Sequence, residues 1–266
     1  MSLGEPVDSI LLKTKRAHKH VLDLETAYRT FGTTEPYPYT VAFETDPNTG
    51  DRLYSLSKVA PIPQDFALLI GDAINNIRSC LDHAVYALVK VANRNAIKRR
   101  DAKFIIGDSP GDFKTKFERV KPGLREDAIK AIEGIQPYIG GAGEYLCHIN
   151  GLANIDKHRL LLTIWGSCEA HSILPSQRQW VADFQGKDPA VFEGAFMGHR
   201  ISPLKVGDIL LRVPKAEVEE NMEFRLNIAF AEPQICKGNP VIESLHQMRE
   251  VVSQIVVDFW RFGLFR

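Results

Sequence analysis

The stretch Leu69-Ile-Gly-Asp-Ala-Ile-Asn-Asn-Ile-Arg-Ser-Cys-Leu-Asp-His-Ala-Val-Tyr-Ala-Leu88 decides how this chain folds. Apolar residues recur in it at steps of three and four, which predicts a helix with one buried face. That face comprises Ile70, Ala73, Ile74, Ile77, Leu81, Ala84 and Leu88. Pro61 and Pro63 precede it, and we expect the helix to run over residues 64–93.

A second line along the same predicted helix is polar. It comprises Asp72, Asn76, Ser79, His83, Tyr86 and Lys90, again at steps of four and three. A solvated helix face usually carries Glu and Lys, whereas these short directional groups favour a fixed hydrogen-bond network. Arg78 and Asp82 are four residues apart, so we expect them to pair beside this line.

The rest of the chain combines further helical patterns with short β-rich runs. Helices are predicted at 8–31, 110–119, 124–137, 143–158 and 240–262. Strands are predicted at 39–45, 52–60, 160–165, 179–184, 208–213 and 222–231. Helices at both ends with strands between them predict an α+β fold, a bundle of four to five helices packed with an antiparallel β-rich module.

The order of these patterns also predicts the domain organisation. We expect residues 1–160 to form the helical bundle, with a β-hairpin at about 36–60. Residues 161–237 are expected to form the β-rich module. Residues 238–266 are expected to form a C-terminal helix that returns to the bundle.

A second polar line lies on the helix predicted near 143–158. Asn150, Asn154 and His158 follow at steps of four, and Lys157, His158 and Arg159 crowd the C-terminal end, where the helix dipole favours cations. We expect the two polar lines to face one another across a cleft. The candidate substrate-binding residues are Asn76, Tyr86, Asn154, Lys157, His158 and Arg159.

Composition narrows the class of protein. The 266 residues carry 33 Lys and Arg against 33 Asp and Glu, which argues against a generally basic nucleic-acid binder. No apolar run is long enough to span a membrane, and we expect no membrane partner. The cysteines form no CxxC pair, so we expect a cytoplasmic protein rather than a disulfide framework or a cysteine zinc site.

Charge is unevenly distributed along the chain. Residues 90–125 hold eleven Lys and Arg against four Asp and Glu, a net charge of +7. Such a stretch beyond the long helix favours contact with a phosphate backbone. An ordinary solvated loop is the alternative interpretation.

The run Arg78-Ser-Cys-Leu-Asp-His83 fits the Arg-x4-6-His pattern of the HEPN superfamily, which comprises helical-bundle nucleases and nucleotide-binding proteins. The chain also resembles a group of bacterial proteins that carry an Arg-Ser-x-Leu-Asp-His helix. The resemblance covers residues 64–95 and 143–160 and does not extend to the β-rich region.

The resemblance implies a homodimeric bundle in which the motifs of both subunits share one cleft. It places the catalytic positions on Arg78 and His83, with Ser79 where the family more commonly has Asn, Asp or His. The implied activity is metal-independent cleavage of RNA without a cofactor. Histidine suits acid–base catalysis near neutral pH, and arginine suits the charge on phosphate oxygens. Asp82 would either orient neighbours of His83 or neutralise Arg78.

Two other functions fit the same residues. The polar lines would equally serve a non-catalytic dimeric binding or interaction module that is specified by a buried network. A metal-dependent hydrolase would instead use His83, His148 and His158, with Asp72 and Asp156 converging on the same ion. No metal-binding motif such as His-Glu-x-x-His supports the metal site.

Overall fold

The long helix that carries the apolar face and the polar line from Asp72 to Lys90 spans Gln64–Ala92 and is named α2. This computed structural model describes residues 5–92, 98, 101–161, 163–171, 204–217, 223–232 and 235–266. The other helices are α1 (Glu5–Thr33), α3 (Pro110–Phe117), α4 (Glu126–Ile135), α5 (Tyr145–Asp156) and α6 (Val241–Arg261). The strands are β1 (Tyr39–Thr45), β2 (Arg52–Val59), β3 (Thr163–His171), β4 (Ile209–Val213) and β5 (Glu223–Phe230). The predicted α+β class is confirmed.

The chain divides into two compact units. The first comprises Met1–Thr26, Gln64–Leu161 and Ile242–Arg266 and is helical in its described residues. All seven predicted apolar positions of α2 are buried there, including Leu81 at 0% exposure. Helix α6 belongs to the same unit and buries Leu245, Met248 and Val252. None of the described helices has the length and apolar character needed to cross a membrane.

Local signals set the ends of the shorter helices. The Ser109 Oγ accepts a hydrogen bond from the Asp112 backbone N–H at 3.1 Å, and Pro110 occupies the first position of α3. Helix α4 ends at Gln136, whose φ of 53° is left-handed. The Ser109 cap fixes the start of α3 where the sequence pattern predicts it, and the left-handed Gln136 explains why α4 ends at Ile135, two residues before the predicted bound.

The second unit comprises Ala27–Pro63 and Leu162–Val241. It contains a three-stranded antiparallel sheet in the order β1-β2-β4 and an antiparallel pair of β3 with β5. In the turn between β1 and β2, Gly50 adopts a φ of +76°. One hydrophobic cluster of this unit comprises Tyr54, Leu211 and Val213, against which Val41 and Phe224 pack.

The hairpin groups differently from the expectation that placed it with the bundle of residues 1–160. Strand β2 pairs with β4, more than 150 residues later in the chain, so the hairpin belongs to the second unit. A two-stranded hairpin is marginally stable by itself, and an added strand supplies a partner that periodicity does not reveal. The strand predicted at 160–165 extends over Thr163–His171, and the one predicted at 179–184 lies outside the described residues.

Leu81→Ala is expected to lower the free energy of unfolding by about 2–5 kcal/mol, because it leaves a cavity at a fully buried position of α2. Leu12→Ala is the matched control, since Leu12 is 66% exposed, and its effect is expected to stay within about 0.5 kcal/mol. Chemical denaturation of both variants measures the difference. Equal losses would contradict the assignment of this face to the core.

Candidate functional site

The polar residues of α2 divide between two neighbouring helices. One set contacts α1 and forms what we call the α1–α2 seam. Its contacts join Ser9 to His83, Lys13 to Asn76, and His20 to Asp72. Residue numbers rise along α1 as they fall along α2, so the two helices run antiparallel along this seam.

His83 is the most adaptable group of the α1–α2 seam. Its Nδ1 shares a 3.0 Å hydrogen bond with the Ser9 Oγ, and its side chain is half-buried. Burial lowers the pKa of His83, the charge of Lys13 lowers it further, and Asp82 opposes both effects. The imidazole is therefore neutral at neutral pH. Its Nε2 has no hydrogen-bond partner in the part of the chain that the structure describes.

Lys13 supplies the positive charge beside His83. Its Nζ donates to the Asn76 Oδ1 at 3.4 Å, and the Asn76 Nδ2 in turn donates to the Asp72 carbonyl at 2.8 Å. Asn76 is among the residues predicted from the sequence, whereas Lys13 and Ser9 are not. Their spacing offered a signal, because Ser9, Lys13 and His20 share one polar line on α1.

The region of α1 around Lys13 is strongly basic. Residues 13–20 contain four Lys or Arg and two His, without an acidic residue. Arg16 lies one turn beyond Lys13, is exposed, and makes no hydrogen bond or ion pair with any described residue. Arg16 is therefore an exposed cation on α1 whose charge acts on Asp23 without a direct ion pair.

Arg78 occupies a different environment from His83. Its Nε donates to the Asn150 Oδ1 at 3.1 Å, its Nη1 to the Asp82 Oδ1 at 2.7 Å, and its Nη2 to the Phe104 carbonyl at 2.8 Å. The side chain is only 13% exposed. The predicted pairing of Arg78 with Asp82 is confirmed.

Asp82 completes what we call the Arg78 clasp, which consists of Arg78, Asp82 and the backbone of Phe104. The Asp82 Oδ1 also accepts a 2.9 Å hydrogen bond from the Phe104 N–H, so the ion pair holds both polar groups of one peptide residue. The Phe104 side chain is 1% exposed. The clasp thus anchors the core residue Phe104 to α2, and the charge of Arg78 is neutralised by Asp82 within the chain.

A second seam joins α2 to α5. Here the Asn75 Nδ2 donates to the Asp156 Oδ2 at 2.7 Å, beside the Arg78–Asn150 bond. Burial raises the pKa of Asp156, the Asn75 hydrogen bond opposes that rise, and the charge of Asp72 adds to it. A Cβ on Gly71 would lie 2.1 Å from the Asp156 Oδ1, so glycine is what allows this approach.

Ser79 and Tyr86 differ in what they offer to a ligand. The Ser79 Oγ donates to the Asn75 carbonyl at 2.7 Å. Its hydroxyl proton is therefore engaged in a hydrogen bond within α2 and is not available to a ligand. Tyr86 is half-buried one turn beyond His83, and the Lys90 Nζ lies 5.9 Å from its ring centre. Of the two, Tyr86 presents the surface that a planar ligand group would contact.

The predicted residues at the C-terminal end of α5 are exposed. The Lys157 Nζ donates to the Asn154 Oδ1 at 3.2 Å, and the Arg159 Nη1 donates to the Leu160 carbonyl at 3.2 Å. His158 is exposed as well. Lys157, His158 and Arg159 follow Asp156 directly and Asn154 lies two residues before it, so the four residues belong to the α2–α5 seam rather than to the α1–α2 seam that holds His83.

The basic stretch at 90–125 is partly neutralised within the first unit. Its ion pairs are Lys116 with Asp112 at 2.6 Å, Lys121 with Glu118 at 2.7 Å and Glu133 at 2.8 Å, and Arg125 with Asp127 at 2.7 Å. Lys103, Lys114 and Arg119 form no ion pair with a described residue. The net charge of +7 therefore overstates the cationic surface that the described part of this stretch offers.

The described residues contain no group of three or more His, Cys, Asp or Glu side chains arranged to hold a metal ion. His83, His148 and His158 accordingly do not form such a group. His148 instead packs edge-on against the Tyr145 ring, with 5.5 Å between ring centres. The metal-hydrolase alternative has no ligand set in this part of the chain.

Comparison of the chain with protein-family models, with curated proteins and with solved structures gives no match. The HEPN resemblance therefore rests on the Arg78–His83 motif and its helical setting.

Gly71→Ala is expected to lower the free energy of unfolding by about 1–3 kcal/mol, because the new Cβ must displace the Asp156 carboxylate. Gly134→Ala in α4 is the control: nothing lies within 4 Å of its would-be Cβ, and a gain of about 0.4–1 kcal/mol is expected. Thermal or urea denaturation compares the two. The double variant Gly71→Ala/Asp156→Ala should recover part of the loss, and a loss unaffected by Asp156→Ala would sink this explanation.

Proposed function

We propose that this protein is a metal-independent endoribonuclease of HEPN type that acts at the α1–α2 seam. The observation that carries the proposal is the environment of His83. Its imidazole is neutral, anchored at Nδ1 by Ser9, within the electrostatic influence of Lys13, and unengaged at Nε2 among the described residues. A positioned neutral imidazole beside a cation suits proton transfer at a phosphodiester.

The proposed reaction is a transesterification. The neutral imidazole takes the proton of the ribose 2′-hydroxyl, and the 2′-oxygen attacks phosphorus. The P–O5′ bond then breaks, and an imidazolium protonates the departing 5′-oxygen. The products are a 2′,3′-cyclic phosphate and a 5′-hydroxyl. His83 is neutral before the reaction, so the imidazolium that forms when it takes the 2′-hydroxyl proton is the acid that then protonates the 5′-oxygen. The homodimer that the resemblance implies would place a second His83 in the same cleft.

The contacts favour a division of roles among the cations. Lys13 lies on the same seam as His83 and its charge acts on the imidazole, so in the proposed reaction it stabilises the charge that develops on the phosphate oxygens, while the exposed Arg16 attracts the RNA backbone. Arg78 is only 13% exposed and already paired with Asp82, which favours a positioning role for it over direct contact with phosphate. Asp82 then acts by neutralising Arg78.

The proposed RNA contacts extend to both sides of His83. Tyr86 would stack against an unpaired base, and Asn76 would hold Lys13 in place. Lys157 and Arg159, with Asn154 and His158, offer an exposed polar end of α5 for more distant phosphates. Ser79 contributes through its bond inside α2 rather than through the substrate.

A second candidate function is a non-catalytic dimeric binding or interaction module. The observation in its favour is that much of the polar network satisfies itself. Arg78, Asn75 and Ser79 all donate to partners within the chain. Such a network specifies a bundle without chemistry. The two candidates differ in one respect only, namely whether His83 transfers protons.

His83→Ala is expected to reduce RNA cleavage by about 100-fold or more, because it removes the proposed acid–base group. Lys13→Ala is expected to reduce cleavage by about 100-fold, because the developing phosphate charge loses its cation. The measurement is cleavage of mixed RNA by the purified full chain in excess EDTA, with the cyclic phosphate ends identified.

His246→Gln is the control for these variants. His246 belongs to the same unit and pairs with Glu25 at 2.6 Å, away from the α1–α2 seam, so cleavage should be retained. Equal cleavage by the wild type and His83→Ala, or no cleavage by the wild type, would reject the ribonuclease and leave the binding module. Cleavage abolished by EDTA would reject the metal-independent mechanism.

The acidic limb of the kcat/KM profile is expected below pH 6.5, the ordinary pKa of histidine, because burial and Lys13 lower the pKa of His83. The base must be deprotonated, so activity rises with pH through that value. Lys13→Gln removes a positive charge that disfavours the imidazolium, and the residual activity should show its acidic limb at higher pH. If the acidic limb of the Lys13→Gln profile stays at the wild-type pH, the charge of Lys13 does not act on His83.

A further inference from the structure

We infer that Arg78 is a positioning residue for His83, and that it acts by holding the Asp82 carboxylate in the Arg78 clasp. The clasp rests on three hydrogen bonds with geometry of 2.7–2.9 Å: Arg78 to Asp82, Arg78 to the Phe104 carbonyl, and the Phe104 N–H to Asp82. This inference rests on the proposed function, since it concerns the same imidazole.

The placement of Asp82 makes this action possible. Asp82 precedes His83 directly, and consecutive helix residues point about 100° apart around the axis. The Asp82 Oδ1 accepts both a guanidinium N–H and a peptide N–H, which fixes the carboxylate on the Phe104 side of α2. Without Arg78, the carboxylate keeps its full charge and can turn toward the imidazole.

Two charged groups act on His83 among the described residues. Lys13 faces it from α1, and Asp82 adjoins it on α2, while the Ser9 hydroxyl at its Nδ1 is neutral. Lys13 disfavours the imidazolium and Asp82 favours it. Burial is the largest cause of the lowered His83 pKa, Lys13 adds to it, and Asp82 opposes both. By pairing with Asp82, Arg78 limits how far that carboxylate can raise the His83 pKa.

The clasp therefore assigns Arg78 a task that differs from contact with phosphate. Arg78 is 13% exposed, and its Nε, Nη1 and Nη2 all donate within the chain. It is therefore poorly placed to contact a substrate phosphate but well placed to fix the position of the Asp82 carboxylate. The consequence for reaction is indirect: the imidazole stays neutral and available as a base.

The test is a double-mutant cycle read by the NMR titration of the His83 imidazole in the full chain. Arg78→Gln is expected to raise the pKa of His83 by about 0.3 unit or more, because the carboxylate becomes unneutralised. Asp82→Asn is expected to lower it. In the double variant, Arg78→Gln should add almost nothing to Asp82→Asn, because Arg78 acts through Asp82.

Several outcomes would overturn the inference. An equal shift from Arg78→Gln with Asp82 and with Asn at position 82 would mean that Arg78 acts on His83 directly. No shift in a folded Arg78→Gln would mean a purely structural role. If Arg78→Gln does not fold, Arg78→Lys serves instead: a charge without the fork should give a smaller rise, and none would reject the inference.

Arg125→Gln is the matched control, since Arg125 also pairs with an aspartate, Asp127, at 2.7 Å in the same unit. It should leave the titration of His83 unchanged. This readout does not depend on cleavage. If the protein does not cleave RNA but the cycle is non-additive, the proposed function is rejected and the coupling of Arg78 to His83 through Asp82 is supported. If it cleaves RNA but the cycle is additive, only the coupling is rejected.

Discussion

The first unit depends on the placement of one buried charge. Arg78 carries a guanidinium into a site that is 13% exposed, where an unpaired charge would cost several kcal/mol. It is satisfied by three elements at once, because Asp82 of α2, Asn150 of α5 and the Phe104 backbone each accept one of its N–H groups. These bonds tie α5 and the Phe104 backbone to α2, in addition to the apolar residues that α5 buries.

The polar residues of α2 on its two sides differ in how completely they are hydrogen-bonded within the chain. Toward α5, the polar groups satisfy one another, and Gly71 brings Asp156 close enough for Asn75 to bind it. Toward α1, His83 keeps a nitrogen unengaged among the described residues and lies beside Lys13. Chemistry is therefore best sought on the α1 side, because groups that are fully hydrogen-bonded within the chain have little left to offer a substrate.

Interactions between residues near in sequence could be predicted, and distant ones could not. The pairing of Arg78 with Asp82 was expected because four residues bring side chains together on any helix. The Ser9–His83 bond spans 74 residues, and its formation depends on how α1 packs. The role of Lys13 was missed for the same reason. The hairpin was grouped with the bundle because its pairing with β4 leaves no periodic signal.

By itself the sequence determined the α+β class, the apolar face of α2 and most helix and strand positions, since these depend on spacing within short segments. The tertiary structure decided which polar residues share a site. The five-residue interval already places Arg78 and His83 on different sides of the helix, and packing decided that α5 covers the Arg78 side and α1 the His83 side. Their different partners, and so their different proposed roles, arise from packing between helices.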